Sequence, residues 1–176
     1  MDTRFRLACV AVLVSATMGG AALAASTSAA APADADALLT CKETGTVTWA
    51  EPGLADQPAT VEWTAEIDFS ECTGAATPTP VKLSAKGTEN AGCEGEVTEH
   101  KGTGTITWSD GSTSEFRQGE TDQSKDEGSG PGIFPIYIVS GTFADHFAED
   151  NNTVKFADDT CPGENKADLA GTFTLR

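Results

Sequence analysis

Two histidines, His100 and His146, are the side chains in this sequence best suited to moving protons near neutral pH. They stand far apart in the chain, and the carboxylates that could assist them fall on the outer faces of expected strands. No acid–base constellation emerges from that pattern. Glu62, Glu66 and Asp68 alternate along one segment and would be the obvious pair of catalytic carboxylates. Their neighbours on the same face are polar, too wet a setting to tune them for catalysis. Glu120, Asp122, Asp126 and Glu127 gather within 119–132, but the Asp-x-Asp-x-Asp-Gly order of a dedicated calcium loop is missing. Cys41, Cys72, Cys93 and Cys161 include no C-x-x-C pair, so zinc is not expected, and cysteines paired in disulfides leave no thiol for nucleophilic chemistry. Trp108 could be an exposed platform for stacking sugars, although burial in the core is the better reading of its alternating neighbours. The sequence therefore predicts no catalytic residue, no cofactor-binding residue and no metal ligand.

The elements that would position any site begin after the first 24 residues. Arg4 and Arg6, the apolar run 7–14 and Ala22-Leu23-Ala24 have the order of a signal peptide with its cleavage site. The apolar run is too short to be kept as a spanning helix. Residues 25–40 are rich in Ala, Ser, Thr and Asp, which predicts a disordered start to the mature chain. Removing Asp2, Arg4 and Arg6 with the leader turns a formal charge of −16 into −17. So acidic a chain is a poor partner for nucleic acid or an anionic membrane, both of which need a basic surface.

From 41 to 176 the pattern is one of strands. In 44–49, Gly45, Val47 and Trp49 share a face; in 61–69, Val61, Trp63, Ala65, Ile67 and Phe69 do so against Glu62, Thr64, Glu66 and Asp68. Residues 51–58 have loop chemistry around Pro52-Gly53. Val81, Leu83 and Ala85 mark a third strand, and Val97 a short one. Residues 102–117 form the clearest hairpin. A three-residue loop, Ser109-Asp110-Gly111, brings Ile106, Trp108 and Phe116 to one face, whereas a two-residue loop would separate them. Asp110 and Gly111 are thus turn residues, with Gly111 in the left-handed position. Residues 119–132 hold no apolar side chain and are expected to be a mobile loop. Residues 133–139 (IFPIYIV) are apolar on both sides, which predicts a strand covered on both faces or one lying under a loop, with Pro135 at an edge or bulge. Residues 141–147 should continue as a strand and 145–152 should form a polar turn with His146 solvated. Val154 and Phe156, then Leu169, Phe173 and Leu175, mark the last strands.

Four cysteines in an exported chain imply two disulfides. If the first two strands pair around the 51–58 loop, Cys41 and Cys72 meet at the open end, which favours Cys41–Cys72 and leaves Cys93–Cys161. The short pattern GTVTW at 45–49 returns as GTITW at 104–108, GTFAD at 141–145 and GTFTL at 171–175, at spacings too irregular for a repeat architecture. A single all-β domain at 41–176 is expected, a mostly antiparallel barrel or flattened barrel of about eight to nine strands, with a β-sandwich as the alternative. Its core should hold Trp49, Trp63, Ile67, Phe69, Ile106, Trp108, Phe116 and Phe173.

Cys41, the loop Pro52-Gly53-Leu54, Cys72, Cys93, Gly-Thr-x-Thr-Trp-x-x-Gly-x-x-Ser at 104–114, Ser-Gly-x-Phe at 140–143 and Cys161 occur in this order. On these the chain resembles a family of small, uncharacterised secreted proteins of Streptomyces and related actinobacteria. The resemblance implies an exported all-β domain with four cysteines and carries no catalytic residue across. The acidic stretch 119–132 departs from the family pattern. The function expected from the sequence is a secreted, non-enzymatic module binding a small ligand, a polysaccharide or a protein. A loop-mediated inhibitor and a hydrolytic enzyme are the alternatives, the last requiring His100 or His146 to approach an acidic pair.

Overall fold

A computed structural model describes residues 37–126, 128–156, 161–163 and 165–176. The expected leader and most of the expected disordered start lie outside the described residues. Ten strands are present among them: β1 Leu39–Trp49, β2 Ala59–Gly74, β3 Pro80–Ala91, β4 Gly95–Glu96, β5 Thr98–Trp108, β6 Thr113–Gln118, β7 Asp122–Lys125, β8 Gly130–Gly141, β9 Phe147–Phe156 and β10 Lys166–Leu175. Eight of them close into an antiparallel barrel in the order β1-β2-β3-β5-β6-β8-β9-β10, with β10 pairing back onto β1. Each barrel strand is followed around the wall by the next barrel strand in the chain. β7 adds to the start of β8, and β4 adds to β7. Closure leaves the barrel wall without an open edge, which settles the architecture in favour of a barrel over a sandwich.

Alternation explains which side chains enter. On β2, Trp63, Ala65 and Ile67 point inward while Glu62, Thr64, Glu66 and Asp68 are exposed. β1 presents Leu39, Cys41, Val47 and Trp49, β5 presents Ile106 and Trp108, and β10 presents Leu169, Phe173 and Leu175. Phe69 is only partly buried and packs against the core from the rim, 5.1 Å from Phe173 between ring centres. The hairpin between β5 and β6 carries a three-residue loop. Trp108 and Ser112 are joined by a backbone hydrogen bond, Gly111 has φ +83°, and Ile106 stands opposite Ser114. Trp108 is fully buried, and its Nε1 donates to Ser114 Oγ at 2.8 Å.

Two glycines of the wall make room for an indole. Trp63, Gly87 and Gly102 face one another across β2, β3 and β5, and the indole lies over both glycines. A Cβ at Gly87 or Gly102 would stand 2.8 or 2.7 Å from the ring. Both ends are plugged. Leu54, from the Pro52-Gly53-Leu54 loop, is 2% exposed and closes one end with Ala91, Val97 and Phe156. The disulfide Cys93–Cys161 ties that end, and Cys41–Cys72 ties the other, beside Leu39 and Leu175.

Several expectations need correction. Strand β1 starts at Leu39, which is buried, so the ordered domain begins before Cys41. Residues 119–132 are not a free loop: they contain β7 and the start of β8, and Gly128 packs on the Phe156 ring. Residues 133–139 are covered on one face only. Phe134, Ile136 and Ile138 point inward, whereas Ile133, Tyr137 and Val139 are 39%, 38% and 52% exposed. Pairing on the β6 side stops at Ile136 and resumes with β7 at Ile133, which leaves Pro135 in the gap. Residues 142–145 are a turn rather than a strand, and the expected polar turn at 145–152 is mostly β9.

Candidate functional site

The inward face of a small barrel is usually filled with apolar side chains, yet this one carries a polar belt. Glu43 on β1, Glu89 on β3, His100 on β5, Gln118 on β6, Gln123 and Lys125 on β7, and Asp150 and Asn152 on β9 are all buried. The strand alternation that sends Cys41 and Val47 inward sends Glu43 inward too. On β9 it places Asp150 and Asn152 on the face of Ala148, Val154 and Phe156.

Glu89 is the hub of the first half. Its partner strand carries an irregularity: between the pairs Thr88–Lys101 and Asn90–Thr98, Glu89 faces two residues, Glu99 and His100. Glu99 takes φ +54°, a left-handed conformation uncommon for a residue with a Cβ. This bulge bends β5 where His100 enters the interior, the sort of place where bulges aim a side chain. His100 Nδ1 lies 3.0 Å from Glu89 Oε2. Glu89 Oε1 accepts from Trp49 Nε1 at 2.9 Å and from Lys125 Nζ at 3.5 Å. Lys125 Nζ also donates to Gln123 Oε1 at 3.1 Å and sits 5.5 Å from the Trp49 ring centre. Burial alone would push the Glu89 carboxyl up. The His100 hydrogen bond, the Lys125 charge and the Trp49 donor outweigh it and hold the group below the usual range. The same burial pulls the Lys125 ammonium down, against the restoring attraction of Glu89.

His100 is held in orientation on both sides. Its ring stacks on Trp63 at 4.9 Å with an interplanar angle of 12°, and Phe134 meets the same ring at 5.1 Å in a tilted contact. With Nδ1 committed to Glu89, Nε2 is the nitrogen left for another partner.

The second half is a carboxyl pair. Glu43 and Asp150 are both buried and feel each other's charge, and Asn152 Nδ2 donates to Asp150 Oδ1. Burial raises both carboxyls well above their ordinary range, and the repulsion of Asp150 raises Glu43 further. Hydrogen bonds from Glu43 and Asn152, and the nearby His100, offset only part of the rise at Asp150. Two carboxyls so placed cannot both ionise at low cost, and they share a proton.

Between the halves lies a cavity with about 40 Å³ open to the centre of a water-sized molecule. Trp63, Glu89, His100, Gln118, Gln123, Phe134, Asp150 and Asn152 line it, with an apolar floor that includes Val47, Ile67 and Leu83. Trp63 Nε1, His100 Nε2, Gln118 Oε1, Gln123 Nε2 and Asn152 Oδ1 are buried and meet no hydrogen-bond partner in the protein. Each such atom left unpaired costs roughly 1–3 kcal/mol, so a native fold does not collect them around one space without use.

The residues singled out from sequence lie elsewhere. Glu62, Glu66 and Asp68 are on the outer wall, where Glu66 pairs with Lys82 at 2.9 Å and accepts from Ser84 at 2.8 Å. His146 is half-buried in the turn after β8, its Nδ1 3.2 Å from Ala144 O. His100 is the exception: it lies in the site, held by partners that its local sequence does not reveal. The expectation that carboxylates stand only on strand exteriors is overturned by Glu43, Glu89 and Asp150. The signal that could have found them is polar residues at inward positions of the alternation. A broader groove of about 740 Å³ crosses the outer wall over Glu62, Lys86, Thr88, Lys101 and Thr103, open to solvent. Among the described residues no three His, Cys, Asp or Glu side chains converge as metal ligands, and no helix is long and apolar enough to cross a membrane. No protein-family model, no curated protein and no solved structure matches this chain.

Proposed function

We propose that the chain is an exported binding module whose barrel interior takes a small polar ligand. The observation that carries this reading is the convergence of unpartnered polar atoms on one internal cavity. An eight-stranded barrel is just wide enough to hold one small ligand, and the belt supplies the few fixed polar groups that orient it. Two disulfides suit an oxidising compartment outside the cell. Loop-mediated inhibition loses support, because Leu54 is folded into the barrel end instead of standing out from it. The test is a thermal-shift screen of small polar molecules against the whole chain and against Gln118→Leu. A ligand at a hundred times its Kd stabilises by about 2.7 kcal/mol. That gain should appear for wild type and shrink in the variant. No stabilisation by any compound, with ordered water alone in the cavity of a high-resolution crystal structure, would refute the reading.

A second reading rests on the Glu89–His100 pair. A carboxylate that orients Nδ1 and leaves Nε2 facing a cavity beside a proton-sharing acid pair is an arrangement suited to acid–base catalysis. Turnover of a small substrate that vanishes in His100→Phe would favour this reading over simple binding.

A further inference from the structure

The charge inventory of the interior says what kind of ligand this is; the inference rests on the binding reading above. Three carboxyls are buried, Glu43, Glu89 and Asp150, against two basic groups, Lys125 and His100. Both basic groups are bonded to Glu89, at 3.5 and 3.0 Å. The Glu43–Asp150 pair therefore has no cation bonded to it among the described residues; His100 acts on Asp150 only through space. The hydrogen-bonding inventory leans the same way. Asn152 turns its Nδ2 to Asp150 and so leaves Oδ1 unpaired, and Gln118 Oε1 is an unpaired acceptor. His100 Nε2 is an acceptor as well when Nδ1–H is given to Glu89. Against these stand two donors, Trp63 Nε1 and Gln123 Nε2.

We infer that the ligand carries a small cationic group rich in N–H donors, a primary ammonium or an amidinium, seated by the Glu43–Asp150 pair with Asn152 Oδ1 and Gln118 Oε1 as further acceptors. The cation takes the place of the proton the two carboxyls share, so the charge of the interior is unchanged on binding and the displaced proton leaves to solvent. The cavity limits that group to a few heavy atoms, since roughly 10–15 Å³ of such space already holds one water. Glu89 and His100 line the same cavity from β3 and β5 and are bonded to each other, and Lys125 on β7 is bonded to Glu89.

The experiment is isothermal titration of the whole chain with methylammonium and with guanidinium chloride, using urea and formamide as neutral mimics and potassium chloride as an ionic control. Titrations in phosphate and in MOPS near pH 7 report proton release. Methylammonium or guanidinium should bind with loss of about one proton, as linkage requires for a cation that displaces it. Glu43→Gln should abolish the proton release and weaken binding about tenfold or more. Where Glu43→Gln does not fold, Gln118→Leu serves, with about a tenfold loss for guanidinium. Binding of urea or formamide as tight as that of the cations, without proton release, overturns the cationic assignment and leaves the small-ligand reading standing. Binding of none of the four overturns the cationic assignment, while the small-ligand reading is decided by the wider screen above.

Discussion

Glu43→Gln should make the barrel more stable at neutral pH, an unusual result for a substitution inside a core. The physical basis is linkage. Glu43 has a raised carboxyl in the folded chain, from burial first and Asp150 second, against an ordinary value of 4.5. Above that value the unfolded chain releases the proton and the folded chain keeps it. The native state then binds more protons than the unfolded one, so stability falls as pH rises, until the folded carboxyl itself ionises. The slope is about 1.4 kcal/mol per pH unit for each proton held, or about 2.7 kcal/mol from about pH 5 to about pH 7. An amide has nearly the shape of the protonated acid, can donate to Asp150 and has no proton to keep. Urea unfolding of wild type and variant at about pH 5, 6, 7 and 8 measures the effect. Repulsion among the other acidic groups is common to both proteins and cancels in the difference. The difference between the two should grow by about 1.4 kcal/mol per pH unit in favour of the variant. Parallel pH profiles, or a variant less stable than wild type at about pH 8, would refute the proposed proton sharing.

Lys125→Met strands Glu89 with only His100 and Trp49 and should cost about 3–5 kcal/mol in urea unfolding, as removing one partner of a buried pair does; a loss of a few tenths would mean the ion pair is idle. Gly102→Ala puts a methyl 2.7 Å from Trp63 and should cost about 1–3 kcal/mol through overpacking, with a changed near-UV dichroism from the displaced indole. Opening Cys93–Cys161, with a sequence separation of 68, should cost about 4.4 kcal/mol, and opening Cys41–Cys72, with a separation of 31, about 3.7 kcal/mol by the chain-entropy relation; paired Cys→Ser variants and thermal unfolding decide it. Because Glu89 is held low, its contribution is present above the unfolded carboxylate range and is lost as pH falls through its lowered folded value. Glu89→Gln should therefore lose part of the acid limb of the wild-type stability profile.

The wall of the barrel was readable because most inward positions are apolar. Val61, Trp63, Ala65 and Ile67 alternate strictly with polar residues, and the common face of Ile106, Trp108 and Phe116 determines the register of the hairpin. The belt was not readable by the same rule, since the rule assigns polar residues to the outside. Glu43 and Glu89 occupy inward positions with side chains that the rule assigns to water, and Asp150 and Asn152 lie in a stretch whose acidic and amide residues have the composition of a loop. What keeps them inside is the three-dimensional company of His100, Lys125 and one another, brought from five strands and invisible in local spacing. β7 was obscured for a related reason. A segment with no apolar side chain looks like a free loop, yet Lys125 anchors it from within by charge. β8 erred in the opposite direction, because Ile133, Tyr137 and Val139 give an exposed face the composition of a buried one.

The seam of the barrel joins β1 to β10, with Leu39 opposite Leu175. A chain built this way cannot finish its hydrophobic interior until its final strand is available. Every shorter length leaves two raw strand edges and an unroofed core, and the last contact made spans nearly the whole domain. Such long-range closure is slow. If the chain is exported as proposed above, that delay is useful, because the barrel stays unsealed until β10 is free to pair with β1.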